Sequence, residues 1–275
     1  VYGGGAYLPG GRLTNCIVTG NSCAGSGGGV ALGQVQNCTL SLNTALGVYS
    51  DQPRGVHGGG GAFLSVLYNC MVFGNQARYG AGLKDGVANN CAITGNASSW
   101  EGGGAYDARL NNCTVTDNSA LIGGGGTFRG AAFNSVVYYN EAPHNENWQY
   151  DSDYRFSCTT PDPGGTGIIT APPMLLSRTH LYAASPCANA GSAAYSSGVD
   201  IDGEAWAAPP AMGCDQPSAS STGSLAVNIS TDSMNSLVDA PISFVAEIDG
   251  VPTSSVWTFG DGSSVSNAVH VEHSW

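Results

Sequence analysis

One dipeptide sets the terms on which this chain can fold. Asn-Cys recurs at Asn15-Cys16, Asn37-Cys38, Asn69-Cys70, Asn90-Cys91 and Asn112-Cys113, and a sixth copy reads Asn134-Ser135. The steps between copies are 22, 32, 21, 22 and 22 residues. A second asparagine follows each pair at constant offset (Asn21, Asn43, Asn75, Asn96, Asn118, Asn140), and a glycine run precedes five of the six, broken to Gly80-Ala81-Gly82 in the fourth. Landmarks held in phase over six copies mark a stacked-repeat architecture.

Within a copy the residues around the cysteine alternate apolar and polar, as in Asn112-Cys113-Thr114-Val115-Thr116, which is the period of a strand. About 22 residues is too short for a strand-helix-strand unit, and no copy shows two strand runs joined by a two-residue hairpin turn. What remains is a coil of two or three short strands whose successors stack in parallel, about 4.8 Å apart. Cys16, Cys38, Cys70, Cys91 and Cys113 then form an interior row of small apolar fillers. Two further rows flank it: Val18, Leu40, Val72, Ile93, Val115, and Leu13, Val35, Leu67, Ala88, Leu110. The asparagines are assigned to bends, because Asn tolerates left-handed backbone and its amide can bond the identical amide one coil on, with Asn21, Asn43, Asn75, Asn96, Asn118 and Asn140 as the ladder. Glycine triplets mark another corner, where a side chain would collide with the turn. The second copy carries about ten extra residues, 48–57, expected to bulge out as a loop.

The net charge is −12, with Lys+Arg 8 against Asp+Glu 20 and no basic cluster, which excludes an electrostatic grip on nucleic acid. Residues 1–140 carry five acids against six bases, whereas residues 141–275 carry fifteen acids against Arg155 and Arg178 alone. The two halves are different objects. No apolar run is long enough to span a bilayer.

The GGGA, NC and GN pattern resembles the right-handed parallel β-helix repeats of bacterial surface proteins, including the repeats of chlamydial polymorphic outer membrane proteins. Ser185-Pro186-Cys187-Ala188-Asn189-Ala190-Gly191, Asp200-Ile201-Asp202-Gly203 and Met212-Gly213-Cys214-Asp215 resemble the end module that closes such helices in secreted bacterial proteins. The chain departs from that module at Asn189 and Gln216, so neither is expected to hold a tight structural role. Trp257-Thr258-Phe259-Gly260-Asp261-Gly262, with His273-Ser274-Trp275, resembles a PKD-type β-sandwich. The resemblances imply an all-β chain: right-handed parallel β-helix coils over 1–148, a loop-rich closing module over 149–217, a linker over 218–224, and a small β-sandwich over 225–275. They also imply an extracellular or cell-surface setting. Neither end reads as a domain boundary. The expectation is a fragment of a larger secreted protein, or ends satisfied by strand addition from other copies of the chain.

Nine cysteines leave at least one thiol without an intramolecular partner. Cys158, Cys187 and Cys214 are the disulfide candidates, with the pairing open. Two positions after each glycine corner stand Tyr7, Ala31, Phe63, Lys84, Tyr106 and Phe128, which strand alternation turns outward. Such a stripe could stack on sugars, so Tyr7, Phe63, Lys84, Tyr106, Phe128 and Arg129 are candidate glycan-binding residues. One position further lie Leu64, Asp85, Asp107 and Arg129. Two carboxylates about 5 Å apart suit a retaining glycosidase, which makes Asp85 and Asp107 the candidate catalytic pair. The same pair could bind Ca²⁺, and Asp200-Ile201-Asp202-Gly203 reads as a calcium loop or a tight turn. Lyase chemistry would have only Lys84 to draw on as a lysine in the repeats. No GxSxG, HExxH or P-loop sequence occurs. The function expected is a structural or adhesive surface module whose partners are other copies of itself, other surface proteins or a polysaccharide. The alternative is a polysaccharide hydrolase or lyase.

Overall fold

The computed structural model describes residues 2–47, 57–217, 225–231, 237–249 and 252–275. The inserted segment 48–56 and the linker 218–224 lie outside the described residues.

The repeats form a parallel β-solenoid of about seven coils. Its clearest wall is a seven-stranded parallel sheet running from Ile17–Thr19 through Thr39–Ser41, Met71–Phe73, Ala92–Thr94, Thr114–Thr116 and Val136–Val137 to Cys158–Thr159. Pairing is in register with the sequence repeat, so that Val18, Leu40, Val72, Ile93, Val115 and Val137 lie directly over one another. A second row, Leu13, Val35, Leu67, Ala88, Leu110 and Ala132, stacks in the same way on the next wall. Both rows belong to one buried apolar cluster that fills the solenoid.

Four left-handed residues turn each coil, five positions apart. In one coil they are Gly80, Asp85, Asn90 and Gly95, and in the next Gly102, Asp107, Asn112 and Asp117. Left-handed backbone disfavours ordinary side chains and is least costly for Gly, Asn and Asp, which explains the glycine and first-asparagine columns; the other two also hold Leu32, Leu64 and Arg129, and Leu42 and Tyr139, in the same conformation. The glycine triplets combine this need with close approach. Gly102 has φ +68°, and a Cβ on Gly103 would lie 2.3 Å from the Gly125 carbonyl oxygen of the next coil.

The two asparagine rows divide between them the corner and the ladder that the sequence expectation gave to the asparagines together. The left-handed corner is taken by the first asparagine of each copy, from Asn15 to Asn134 with φ 47–54°. The amide ladder is built by the second. Asn96 Nδ2 donates to Asn118 Oδ1 at 2.9 Å, Asn118 to Asn140 at 2.9 Å, and Asn140 to Asn147 at 3.1 Å, which ends the run. Backbone amides reinforce it, as when Asn75 N donates to Asn96 Oδ1 at 3.0 Å. An isolated amide buried in a core would be costly, but stacked amides satisfy one another.

The cysteine row points inward as expected, yet it is more than apolar filler. Cys70 N donates to Cys91 Sγ at 3.4 Å, and Cys91 Sγ donates to the Asn89 carbonyl at 3.1 Å. Further along, hydroxyls take over the same bonds: Cys113 N donates to Ser135 Oγ at 3.1 Å and Ser135 N to Ser157 Oγ at 3.2 Å. The column therefore selects a small side chain that both accepts and donates.

The chain after Cys158 runs back along the flank of the solenoid. The first asparagines hold it there, with Asn134 Nδ2 donating to the Ser192 carbonyl at 2.7 Å and Asn90 Nδ2 to Val199 O at 2.7 Å. Asn189 and Gln216 both do structural work. Asn189 adopts φ 54°, and Gln216 Oε1 accepts from Ala207 N at 3.2 Å and Ala211 N at 3.0 Å.

At the C-terminus an antiparallel sheet joins Ala226–Thr231, Ile242–Asp249 and His270–His273, beside a hairpin of Val256–Thr258 and Ser264–Ser266. Ala246, Ile248 and Val269 enter the same apolar cluster as Leu175, Leu181 and Met212, so this unit packs against the closing segment. Arg178 pairs with Glu247 at 2.7 Å and His270 with Asp117 at 3.1 Å across the contact. No helix among the described residues is long and apolar enough to cross a membrane.

Candidate functional site

Two places gather ionisable side chains. The first is the corner row holding Asp85 and Asp107. Asp85 N donates to the Tyr106 carbonyl at 3.0 Å, which puts the two aspartates on successive coils, one strand spacing apart. Both have left-handed φ, 51° and 48°, and their carboxylates border a shallow groove shared with Leu64, Ser65, Arg109 and Gly130. Their charges are partly taken up. Lys84 Nζ forms a short ion pair with Asp85 Oδ2, and Arg129 Nη1 lies 3.9 Å from Asp107 Oδ2. Burial raises the Asp107 pKa, with Arg129 opposing and Asp85 adding to it. The pair stands on neighbouring coils beside one groove. With Lys84 bound to one member, it does not offer two free carboxylates to a metal ion.

The aromatic row beside this corner is covered, not exposed. Tyr7 is 53% exposed, but Phe63, Lys84, Tyr106 and Phe128 are buried. Each ring hides the next: Tyr106 stacks on Phe128 at 5.0 Å, and Tyr79 meets Tyr106 edge-on at 5.4 Å. Trp100, on the longer strand Ala97–Glu101, packs against this cluster, with Arg78 5.0 Å from its ring. Lys84 lies between the Phe63 and Tyr106 rings at 5.5 and 5.2 Å, under the backbone of Gly58. Alternation correctly turns these side chains away from the solenoid core, but it says nothing of what lies over them. Exposed rings are thus left at Tyr7 and, two coils beyond Tyr106, at Tyr150, which is 58% exposed.

No disulfide joins any of the nine cysteines. Cys158 and Cys187 are buried in one cluster, and the neighbouring Cys187 thiol together with burial pushes the Cys158 thiol far above its ordinary pKa. Cys214 stands apart, its Sγ donating to the Thr179 carbonyl at 3.5 Å. Of the three disulfide candidates, Cys158 and Cys187 are therefore the adjacent two.

The second place was only half visible in the sequence. Asp200, Asp202 and Glu204 alternate along a tight turn. Asp200 Oδ1 accepts from Asp202 N at 3.1 Å and Glu204 N at 2.7 Å, and Asp200 Oδ2 accepts from Gln216 N at 3.0 Å. The chain then brings in Asp215, whose Oδ2 accepts from Leu181 N at 2.8 Å, and His180, whose Nε2 lies 2.5 Å from Asp202 Oδ2. His180, Asp202, Glu204 and Asp215 line a cavity of about 200 Å³. Burial drives the Asp215 carboxyl up to about 7, with His180 opposing. Burial works against a charged His180, but Asp202, Asp215 and Asp200 outweigh it and raise its pKa. Two donor sets meet at Asp215: His180, Asp202 and Asp215, and Asp200, Glu204 and Asp215, with the ligand atoms of each within 4.8 Å of one another. The DIDG turn hinted at this site. His180 and Asp215 come from stretches with no repeat to give their register.

Compared with known proteins, the chain matches no family model, no curated protein and no solved structure.

Proposed function

We propose that this chain is a structural and adhesive module of a secreted or surface-displayed bacterial protein, of the kind its GGGA, NC and GN repeats resemble, with a PKD-like unit at its C-terminal side. One observation carries the reading. The polar side chains that recur from coil to coil, the asparagine and the cysteine/serine rows, are spent on holding the stack together. What varies between coils lies on the outer corners and faces, which is where a rod-like module meets its partners. The partner classes are a polysaccharide, stacked on Tyr7 and Tyr150, other surface proteins, or another copy of the chain drawn to its acidic C-terminal half.

A second reading has an observation of its own: Asp85 and Asp107 share a groove, and Asp107 has a raised pKa beside Asp85. That is the arrangement of a carboxylate acid beside a carboxylate nucleophile. One experiment separates the two. The purified chain is passed over immobilised acidic and neutral polysaccharides while reducing ends are assayed in the eluate. Adhesion predicts retention that Tyr7→Ala with Tyr150→Ala weakens and that Asp85→Asn with Asp107→Asn leaves intact. Release of reducing ends, abolished by the aspartate pair of substitutions, would establish the enzyme instead. No retention on polysaccharide, together with a monomer in sedimentation that binds no copy of itself, would remove the glycan and self-association readings.

A further inference from the structure

We propose that Cys158 and Cys187 are joined by a disulfide when the chain folds in the presence of a disulfide oxidant, and that this bond staples the closing segment to the last coil of the solenoid. Only the natural source of the oxidant rests on the secreted setting of the reading above. The test supplies the oxidant itself, so the two fail separately.

Register places the first thiol. In the seven-stranded wall Cys158 pairs with Val136 and Thr159 with Val137. Val137 fills the solenoid core, whereas Val136 lies in the cluster shared with the closing segment, so Cys158 stands on the outer row. It is no member of the inward row of Cys16, Cys38, Cys70, Cys91 and Cys113, which Ser135 and Ser157 continue. Two separate paths bring Cys187 to it. Cys158 Sγ donates to the Ala171 carbonyl at 3.2 Å, and two residues on, the Pro173 carbonyl accepts from Ser185 Oγ, which itself accepts from Cys187 N at 3.1 Å. From the other side, Met212 N donates to the Cys187 carbonyl at 3.0 Å, and a Cβ on the adjoining Gly213 would lie 3.3 Å from Val136 Cγ2, one coil before Cys158. Both cysteines are fully buried, and contact between their thiols is the largest cause of the raised Cys158 pKa, ahead of burial.

The surroundings single out this pair. In the inward row the thiols carry the column's own bonds: Cys70 Sγ donates to the Tyr68 and Val35 carbonyls at 3.1 and 3.5 Å, and Cys91 Sγ accepts from Cys70 N at 3.4 Å. Oxidation there would break them, whereas at Cys158 it gives up the one bond to Ala171. Cys214 is turned away, toward the Thr179 carbonyl. A shared metal ion does not fit either, because neither metal-capable cluster among the described residues includes a cysteine, and two thiolates leave a tetrahedral ion short of ligands. The bond forms by exchange with oxidised glutathione. One cysteine thiolate attacks a glutathione sulfur and expels a glutathione thiolate, and the second cysteine thiolate then attacks the protein sulfur of the mixed disulfide and expels the other. The protein loses two electrons and two protons, and oxidised glutathione becomes two molecules of glutathione thiol. Because both cysteines are buried in the finished fold, exchange takes place while the closing segment settles onto the coils, and the bond is then shielded from reductant.

The test uses the full chain, reduced, unfolded in urea and refolded by dilution into a mixture of oxidised and reduced glutathione, then denatured and alkylated with N-ethylmaleimide without reductant. Seven of the nine cysteines should be alkylated. Chymotryptic cleavage at Tyr182, Tyr195 and Trp206 separates Cys158, Cys187 and Cys214, and should yield one linked pair of peptides holding Cys158 and Cys187. Closing a loop of about 30 residues should raise Tm by about 5 °C over the same chain refolded in reductant. Cys187→Ala should lose both the link and the rise, and Cys214→Ala should keep both. If Cys187→Ala does not fold, the linked peptides of the parent chain still decide. The proposal is overturned by nine alkylated cysteines after oxidative refolding, or by a link that engages Cys214 or an inward-row cysteine in place of this pair. It is overturned equally by a rise in Tm that survives Cys187→Ala.

Discussion

Asn96→Ala removes one rung from the middle of the amide ladder, and its cost can be worked from the bonds it breaks. Asn96 is fully buried. Its Nδ2 donates to Asn118 Oδ1 at 2.9 Å, the Val72 carbonyl at 2.9 Å and the Thr94 carbonyl at 3.2 Å, while its Oδ1 accepts from Asn75 N at 3.0 Å and Asn75 Nδ2 at 2.9 Å. Alanine deletes all five. Asn75 Nδ2 keeps a partner in the Leu40 carbonyl at 2.9 Å, but the Asn75 backbone N–H loses its acceptor inside a dry core. A stranded buried donor costs about 1–3 kcal/mol and each of the four remaining net bonds about 0.5–1.5 kcal/mol, which sums to about 3–9 kcal/mol. In a chain of this size the low end of that range lowers Tm by about 10 °C. The assay is thermal and urea unfolding followed by circular dichroism, with the exposed Asn228→Ala as control, expected within about 0.5 kcal/mol of the parent. Asn96→Asp, nearly isosteric but lacking the donor, should be at least as damaging as alanine. A loss under about 1 kcal/mol for Asn96→Ala would refute the reasoning, because the ladder would then be a geometric coincidence of packing.

Three further outcomes are expected. Cys91→Ser should unfold within about 1 kcal/mol of the parent in urea, because hydroxyls already make these bonds at Ser135 and Ser157, whereas Cys91→Ala should cost about 1–3 kcal/mol by stranding the Cys70 N–H. Gly103→Ala should abolish soluble folded protein, since its Cβ would lie 2.3 Å from Gly125 O and 2.4 Å from Ser119 O, while Gly95→Ala, strained only by φ +61°, should cost about 1 kcal/mol. The Asp261 carboxyl should titrate near 2 in a ¹³C NMR titration, because Ser263 Oγ–H and N–H bond its charged form and His273 adds to this. Its folded pKa is depressed, so its contribution to stability is present above the unfolded value near 4 and is lost as pH falls through about 2. A titration midpoint at 3.5 or above would contradict this.

What could be read from the sequence divides along the repeat. Stacked coils repeat their environment every 22 residues or so, and any residue inside the repeat inherits its neighbours from its column. Val72, Ile93 and Val115 are therefore placed by arithmetic, and the register of three walls follows from the spacing of Asn-Cys alone. The column argument fails where information lies between columns. It gave left-handed backbone and the amide ladder to the asparagines without dividing them between the two rows, because Asn15 and Asn21 are equally good corner residues and only the coil geometry distinguishes them. It turned Tyr106 and Phe128 outward correctly but could not foresee that Trp100 and the segment at Gly58 would cover the row. Nor does it reach the carboxylate-histidine cavity, whose members come from residues 180–215 with no period at all. The seventh coil shows the limit from the other side. Phe156-Ser157 stands where Asn-Cys is expected, and Phe156 still adopts φ 48° at the corner. The stack can impose that conformation on a residue that would not choose it.

The central claim is that successive coils lie directly over one another with their amides in line. The most direct measurement is ¹⁵N-resolved NMR of the asparagine side chains. Stacked coils predict nuclear Overhauser contacts between the side-chain amide protons of Asn75, Asn96, Asn118 and Asn140 in that order, with exchange against deuterated solvent slowed to hours. Rapid exchange of those amides, or contacts linking them to residues outside their column, would contradict the solenoid itself.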